Sequence, residues 1–138
     1  LKHVLARYGA DKIVSGTSAA DRRAFIAFVY RDLPLRIAIP LPDPQADDYW
    51  LSPTGRRRRN ESAARLLWEA ACRQQWRVLL LLVKANLEAV ENGIISPQTA
   101  FMPYIALRGG QTVGEFLAPQ LDGAIAGGQM KALPFPGG

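Results

Sequence analysis

Four consecutive arginines, Arg56 to Arg59, stand six residues beyond Trp50, which itself follows Tyr49. Guanidinium groups hold phosphate in a rigid fork and flat rings stack on bases. Aromatics interleaved with arginine are therefore what proteins use to bind single-stranded nucleic acid. Arg22 and Arg23 complete a candidate nucleic-acid-binding set of Arg22, Arg23, Trp50, Arg56, Arg57, Arg58 and Arg59. A plainer arrangement uses the same residues: Tyr49 and Trp50 fold onto a sheet as an apolar plug, and the arginines form a solvated collar before a greasy helix. Helix electrostatics favours the first. The arginine block precedes a helix N-terminus, where the macrodipole is already positive, so four further positive charges oppose it. An anion bound there relieves that conflict and satisfies orphan N–H donors.

Other chemistries have little to work with. A zinc centre needs clustered cysteine and histidine, and the chain has one of each, Cys72 and His3. Any Ser-His or Cys-His nucleophile would have to use His3, close to the first residue given. Cys72 lies on an apolar stripe between Trp68 and Trp76, the setting of a buried, inert thiol. The glycines of "GGQTVGE" stand in the wrong order for a phosphate-cradling or dinucleotide loop. Glu88 and Glu91 lie one helical turn apart, and Glu115 and Asp122 share a later helix. No acidic strand motif joins either pair to make a Mg²⁺ nuclease. The expectation is a non-enzymatic protein with no catalytic residue, metal or cofactor.

Charge is unevenly distributed along the 138 residues, whose formal net charge is +5. Up to Arg77 there are 14 Lys/Arg against 8 Asp/Glu, a net of +6; from Val78 on there are 3 against 4, a net of −1. A basic front half and a near-neutral back half suit a polyanion partner. Apolar residues at 49% and charged ones at 21% are those of a globular chain with a real core. One cysteine precludes an internal disulfide framework and suits a reducing cytoplasm. The longest apolar run, "VLLLLV", is far below the ~20 residues of a membrane span. Nothing near Leu1 resembles a signal peptide.

The elements that must position these residues can be read in order. "LKHVLARYGA" predicts a helix end, with Val4, Leu5 and Tyr8 on one side and Gly9 as the stop. "DKIVSG" predicts a short strand. Ile26, Phe28 and Tyr30 alternate with the equally apolar Phe25, Ala27 and Val29, predicting a strand covered on both faces. After a turn around Asp32-Leu33-Pro34, the alternation of Leu35, Ile37, Ile39 and Leu41 predicts a one-sided strand, which Pro40 and Pro42 make end at, or lie along, a sheet edge. The two form a hairpin over about 24–41. Residues 43–60 read as a mobile basic loop without regular structure.

Asn60 can cap a helix running to Asn92 without proline or glycine. Trp68, Cys72, Trp76, Leu79, Val83, Leu87 and Val90 form its apolar stripe. The hairpin is expected to pack on that stripe, with Trp76 and Leu79 nearly inaccessible. Between Val78 and Val83 the helix is apolar all round, so several directions need cover, from the sheet or from a second copy. A short strand, a Gly109-Gly110 turn and a helix from about Val113 follow, with Thr112 and Glu115 at capping-box spacing. Residues 131–138 read as an extended tail. The fold class is α+β: one domain over 1–138, a small antiparallel sheet on one long helix at about 61–92, then a further strand and a C-terminal helix.

Four stretches, "RYGA" (7–10), "RIAIPLP" (36–42), "WEAACRQQWRVLLLLVKANLEAVENGI" (68–94) and "PYIALRGGQTVGEFLAPQL" (103–121), carry a resemblance. They cover about two fifths of the chain and are similar to small proteins of no settled activity encoded by tailed bacteriophages and prophages. The resemblance implies a phage setting in a bacterial cytoplasm, and no mechanism or site residue. The functional expectation is a single-stranded DNA or RNA binder serving replication or recombination. The alternative is a protein-interaction or assembly module, including a phage-encoded inhibitor of a host system, acting through the long helix. A homodimer fits either.

Overall fold

The computed structural model describes residues 1–18 and 20–128. The helix α1 (Lys2–Arg7) leads into three strands, β1 (Asp11–Ser18), β2 (Arg23–Tyr30) and β3 (Leu33–Pro40). These form one antiparallel sheet in the order β1-β2-β3. Then come a single turn of helix, α2 (Asp47–Trp50), the long α3 (Glu61–Glu91), the short α4 (Pro97–Phe101), a 3₁₀ turn (Met102–Tyr104) and α5 (Val113–Ala126). The architecture is α+β, with a three-stranded sheet and one dominant helix.

The α3 helix is continuous, as its sequence requires. The Asn60 side chain accepts from the Ala63 N–H at its start, and Asn92 and Gly93 end it. Its inner stripe meets the sheet: Leu79, Val83, Leu87 and Val90 share one core with Ile26, Phe28 and Tyr30 of β2 and Leu35 and Ile37 of β3. Leu79 is buried as expected, whereas Trp76 only borders this core and stays partly exposed.

Three further expectations are corrected. The β2 strand is fully buried on one face, not two: Ala24, Ile26, Phe28 and Tyr30 are buried, but Phe25, Ala27 and Val29 are only half-buried. On that face the Arg36 guanidinium lies over the Phe25 ring, 5.3 Å from its centroid, and pairs with Glu115 of α5. The hairpin turn is Arg31-Asp32, with φ of +47° and +66°, and Leu33 and Pro34 are already paired with Tyr30 and Val29. A two-residue turn with both φ positive matches the twist of the strands it joins, even without the usual Asn-Gly. The strand expected before Gly109 reduces to single bridges, Leu35 to Ile105 and Ala106 to Thr112. Ser96 caps α4 by accepting from the Thr99 N–H, with Pro97 in its first turn, so the chain turns helical there.

The Thr112 side chain caps α5 by accepting from the Glu115 N–H. Gly114 lets this helix lie close against the 3₁₀ turn, since an added Cβ would stand 2.9 Å from the Pro103 carbonyl oxygen. The expected tail at 131–138 lies outside the described residues.

A polar cluster fastens the far end of α3 to the hairpin turn. The Tyr30 hydroxyl donates to Glu91 Oε1 at 2.7 Å, and Arg31 donates to the same oxygen at 3.0 Å. Burial, then the Glu91 carboxylate, pushes Tyr30 up to about 12 from 10.0. The Tyr30 and Arg31 hydrogen bonds hold the Glu91 carboxyl below its usual range. A raised folded-state pKa keeps Tyr30 protonated where the unfolded chain ionises. Its stabilisation is complete below pH 10.0 and lost as pH rises through about 12. Melting temperature is expected to fall across that interval in wild type, and less steeply in Tyr30→Phe. Equal slopes in thermal melts would remove this cluster from the account.

Candidate nucleic-acid interface

Residues 41–60 connect the sheet to α3, and they are organised rather than irregular. Leu41 N–H donates to the Arg22 carbonyl, joining the start of this segment to the β1–β2 connection. Arg22, itself at φ +49°, pairs with Asp43 at 2.9 Å. The Gln45 N–H, followed by Arg22, holds the Asp43 carboxyl below its ordinary range. The α2 turn begins with Asp47 and Asp48, where carboxylates complement the positive end of a helix.

Beyond α2 the backbone doubles back. Leu51 and Arg58 form an antiparallel bridge, Ser52 N–H donates to the Arg57 carbonyl at 2.8 Å, and Arg59 N–H donates to the Trp50 carbonyl at 2.6 Å. Gly55, at φ +73°, takes the left-handed corner of the turn, which glycine enters without a Cβ clash. The expected mobile loop is therefore a miniature hairpin, whose turn signal lies in Ser52-Pro53-Thr54-Gly55.

This hairpin sorts the four arginines. Arg59 turns inward, its guanidinium donating to the carbonyls of Asp48 (3.1 Å) and Leu51, so it fastens α2 to the start of α3. Arg56, Arg57 and Arg58 are exposed. Arg58 lies over the Trp50 ring, 4.9 Å from its centroid. Trp50 is half-buried, and its indole N–H donates to the Pro44 carbonyl at 2.8 Å. The ring thus has the anchoring of a plug and at the same time carries a guanidinium. Arg23 is exposed at the start of β2, opposite Pro40.

Two open grooves run beside this end of the molecule. One, of about 500 Å³, lies between the β1–β2 connection and the segment Leu41–Gln45, with Arg22 and Trp68 among its walls. The other, of about 280 Å³, is lined by Trp50, Glu61 and Arg65, and the two share Pro44, Gln45 and Trp68. The sequence placed Trp68 in the core. Its indole instead lines these grooves, is half-buried, and donates to the Pro42 carbonyl at 2.7 Å. Arg65, paired with Glu61 at 3.2 Å, was also missed. Helical periodicity carries no signal for either, since the grooves are built from segments distant in sequence.

The remaining candidates are occupied elsewhere. Glu88 accepts from the Tyr8 hydroxyl, and Glu91 belongs to the Tyr30 cluster. His3 is exposed, and burial raises the pKa of the half-buried Cys72 thiol. Among the described residues no group of three or more His, Cys, Asp or Glu could hold a metal ion, and no helix is long and apolar enough to cross a membrane. Comparison of the chain with protein-family models, curated proteins and solved structures finds no match.

Proposed function

We propose that this protein is a non-enzymatic binder of single-stranded nucleic acid, acting in a phage or prophage setting, whose phosphate grip is Arg56, Arg57 and Arg58. One observation carries the reading: three guanidiniums project from a hydrogen-bonded turn, and no described carboxylate pairs with any of them. Arg22, Arg31, Arg36 and Arg65, by contrast, each have an acidic partner. Clustered, unneutralised cations gain most from a polyanion, which releases counterions as it binds. Arg23, also exposed, and the groove wall Trp68 give a further phosphate and a base somewhere to lie.

Fluorescence anisotropy of a labelled single-stranded oligonucleotide tests this, with Trp50→Ala beside wild type. Trp50 is assigned as the platform for Arg58, so its loss should flatten the salt slope by up to about 0.7, one single-strand phosphate contact. A tryptophan that stacks on a base would instead cost roughly 1–3 kcal/mol with the slope unchanged. No saturable binding by wild type at low salt would sink the proposal.

A second reading, a protein-interaction module, rests on the outer face of α3. Val78 is 50% exposed and Leu81 67% exposed there, opposite the sheet.

A further inference from the structure

We propose that two copies of this chain pair in parallel through the outer face of α3, as a short coiled coil. The inner stripe of α3 is satisfied by the sheet. A second series on the same helix is not: Leu67, Ala71, Gln74, Val78, Leu81 and Ala85 follow one another in steps of four, three, four, three and four. That alternation averages 3.5 residues and is the signature of a coiled-coil seam. None of the six is buried, and Leu67, Val78 and Leu81 are 41%, 50% and 67% exposed. Trp76 and Val83 occupy the positions directly behind the seam and face the sheet core, so a partner can approach from outside without displacing the strands. The sequence looks apolar all round at 78–83 because two seams run back to back on one helix.

Residue types along the seam select the partner. In heptad terms Ala71, Val78 and Ala85 take the a positions, and Leu67, Gln74 and Leu81 the d positions. A β-branched residue at a with leucine at d favours two parallel strands, and alanine lets the backbones come close. Gln74 is the single polar residue inside the seam. In a parallel pair it meets its own copy, where each amide can donate to the other, fixing the register at some cost in stability.

Charge selects the direction. Arg77 and Lys84 flank the seam on one side, and Gln75, Leu82 and Ala89 on the other. An antiparallel pair would set the cationic flanks of the two helices against each other. A parallel pair sets Arg77 beside Leu82 of the second copy, and the arginine stem covers a leucine that is 43% exposed in one chain. The seam spans about 27 Å at 1.5 Å per residue. Five turns of helix fall at the low end of the ~800 Å² per partner typical of a specific interface, so affinity on the order of micromolar is expected. Parallel pairing also brings both Arg56–Arg58 turns to one end of the dimer, doubling the proposed phosphate grip. The pairing itself is independent of that grip and is measured without nucleic acid.

Light scattering of the purified chain at tens of micromolar is the first test, and a dimer is expected. Leu81→Glu should weaken association about a hundredfold or more, because each dimer loses two leucine contacts and gains two facing carboxylates. Leu81 is exposed in one chain, so helicity by circular dichroism should be unchanged. Gln74→Cys in a Cys72→Ser background should give a disulfide-linked dimer on mild oxidation, since only parallel pairing brings residue 74 against itself. A wild-type monomer, or a dimer untouched by Leu81→Glu, would overturn the proposal. A dimer lost in Leu81→Glu but not cross-linked through position 74 would overturn its parallel direction.

Discussion

Phe101→Ala should destabilise the fold by about 3–5 kcal/mol, the range for removing a buried phenylalanine. Phe101 is 0% exposed and sits edge-on to Tyr30 and Phe28, with ring centroids 5.8 and 6.5 Å away. It is the buried residue through which α4 closes the core shared by β2, β3 and the inner stripe of α3. Truncation removes both edge-to-face contacts and leaves a cavity that neither the strands nor α3 can easily collapse into. A loss of that size is a large part of the ~5–15 kcal/mol that holds a typical domain together. Urea unfolding followed by circular dichroism measures it. A loss under about 1 kcal/mol, within the spread of ordinary substitutions, would mean α4 does not close this core.

Much of that architecture was legible in the chain. The α3 boundaries follow from Asn60, the absence of proline or glycine to Asn92, and Gly93, because caps and breakers act locally. The hairpin follows from the alternation at Ile26–Tyr30 and Leu35–Ile39, which is also local. Cover is not local. The alternating Phe25, Ala27 and Val29 suggested full cover on a second face, yet the degree of cover depends on which distant segments fold over them. The same gap hid the incomplete burial of Trp68, whose groove is walled by segments distant in sequence.

The turn at Arg31-Asp32 was misplaced because neither residue advertises a positive φ as glycine or asparagine would. In the candidate site, composition singled out all four arginines and Trp50 but could not divide their duties. Which guanidinium turns inward depends on the Leu51–Arg58 bridge, a pairing invisible to periodicity.

That division of duties sets the second large expected effect. Replacing Arg56, Arg57 and Arg58 together with alanine, and keeping Arg59, should flatten the slope of log affinity against log salt by about 2.1, at about 0.7 per single-strand phosphate. Extrapolated to about 1 M salt, where the counterion contribution vanishes, this is roughly a hundredfold weaker binding at about 0.1 M. The loss should be alike for every base sequence, because phosphate contacts carry no sequence information. Folding should be intact, since the three side chains are exposed and the carbonyls of Asp48 and Leu51 keep their Arg59 donor. Binding by this variant equal to wild type would reduce the arginines to a solvated collar.

The central claim is that this turn grips phosphate, and the affinity of wild type for a single-stranded oligonucleotide across a salt series tests it most directly. Three gripped phosphates require log affinity to fall with log salt at a slope of about −2 or steeper. A slope near zero, or no binding at the lowest salt, would contradict it.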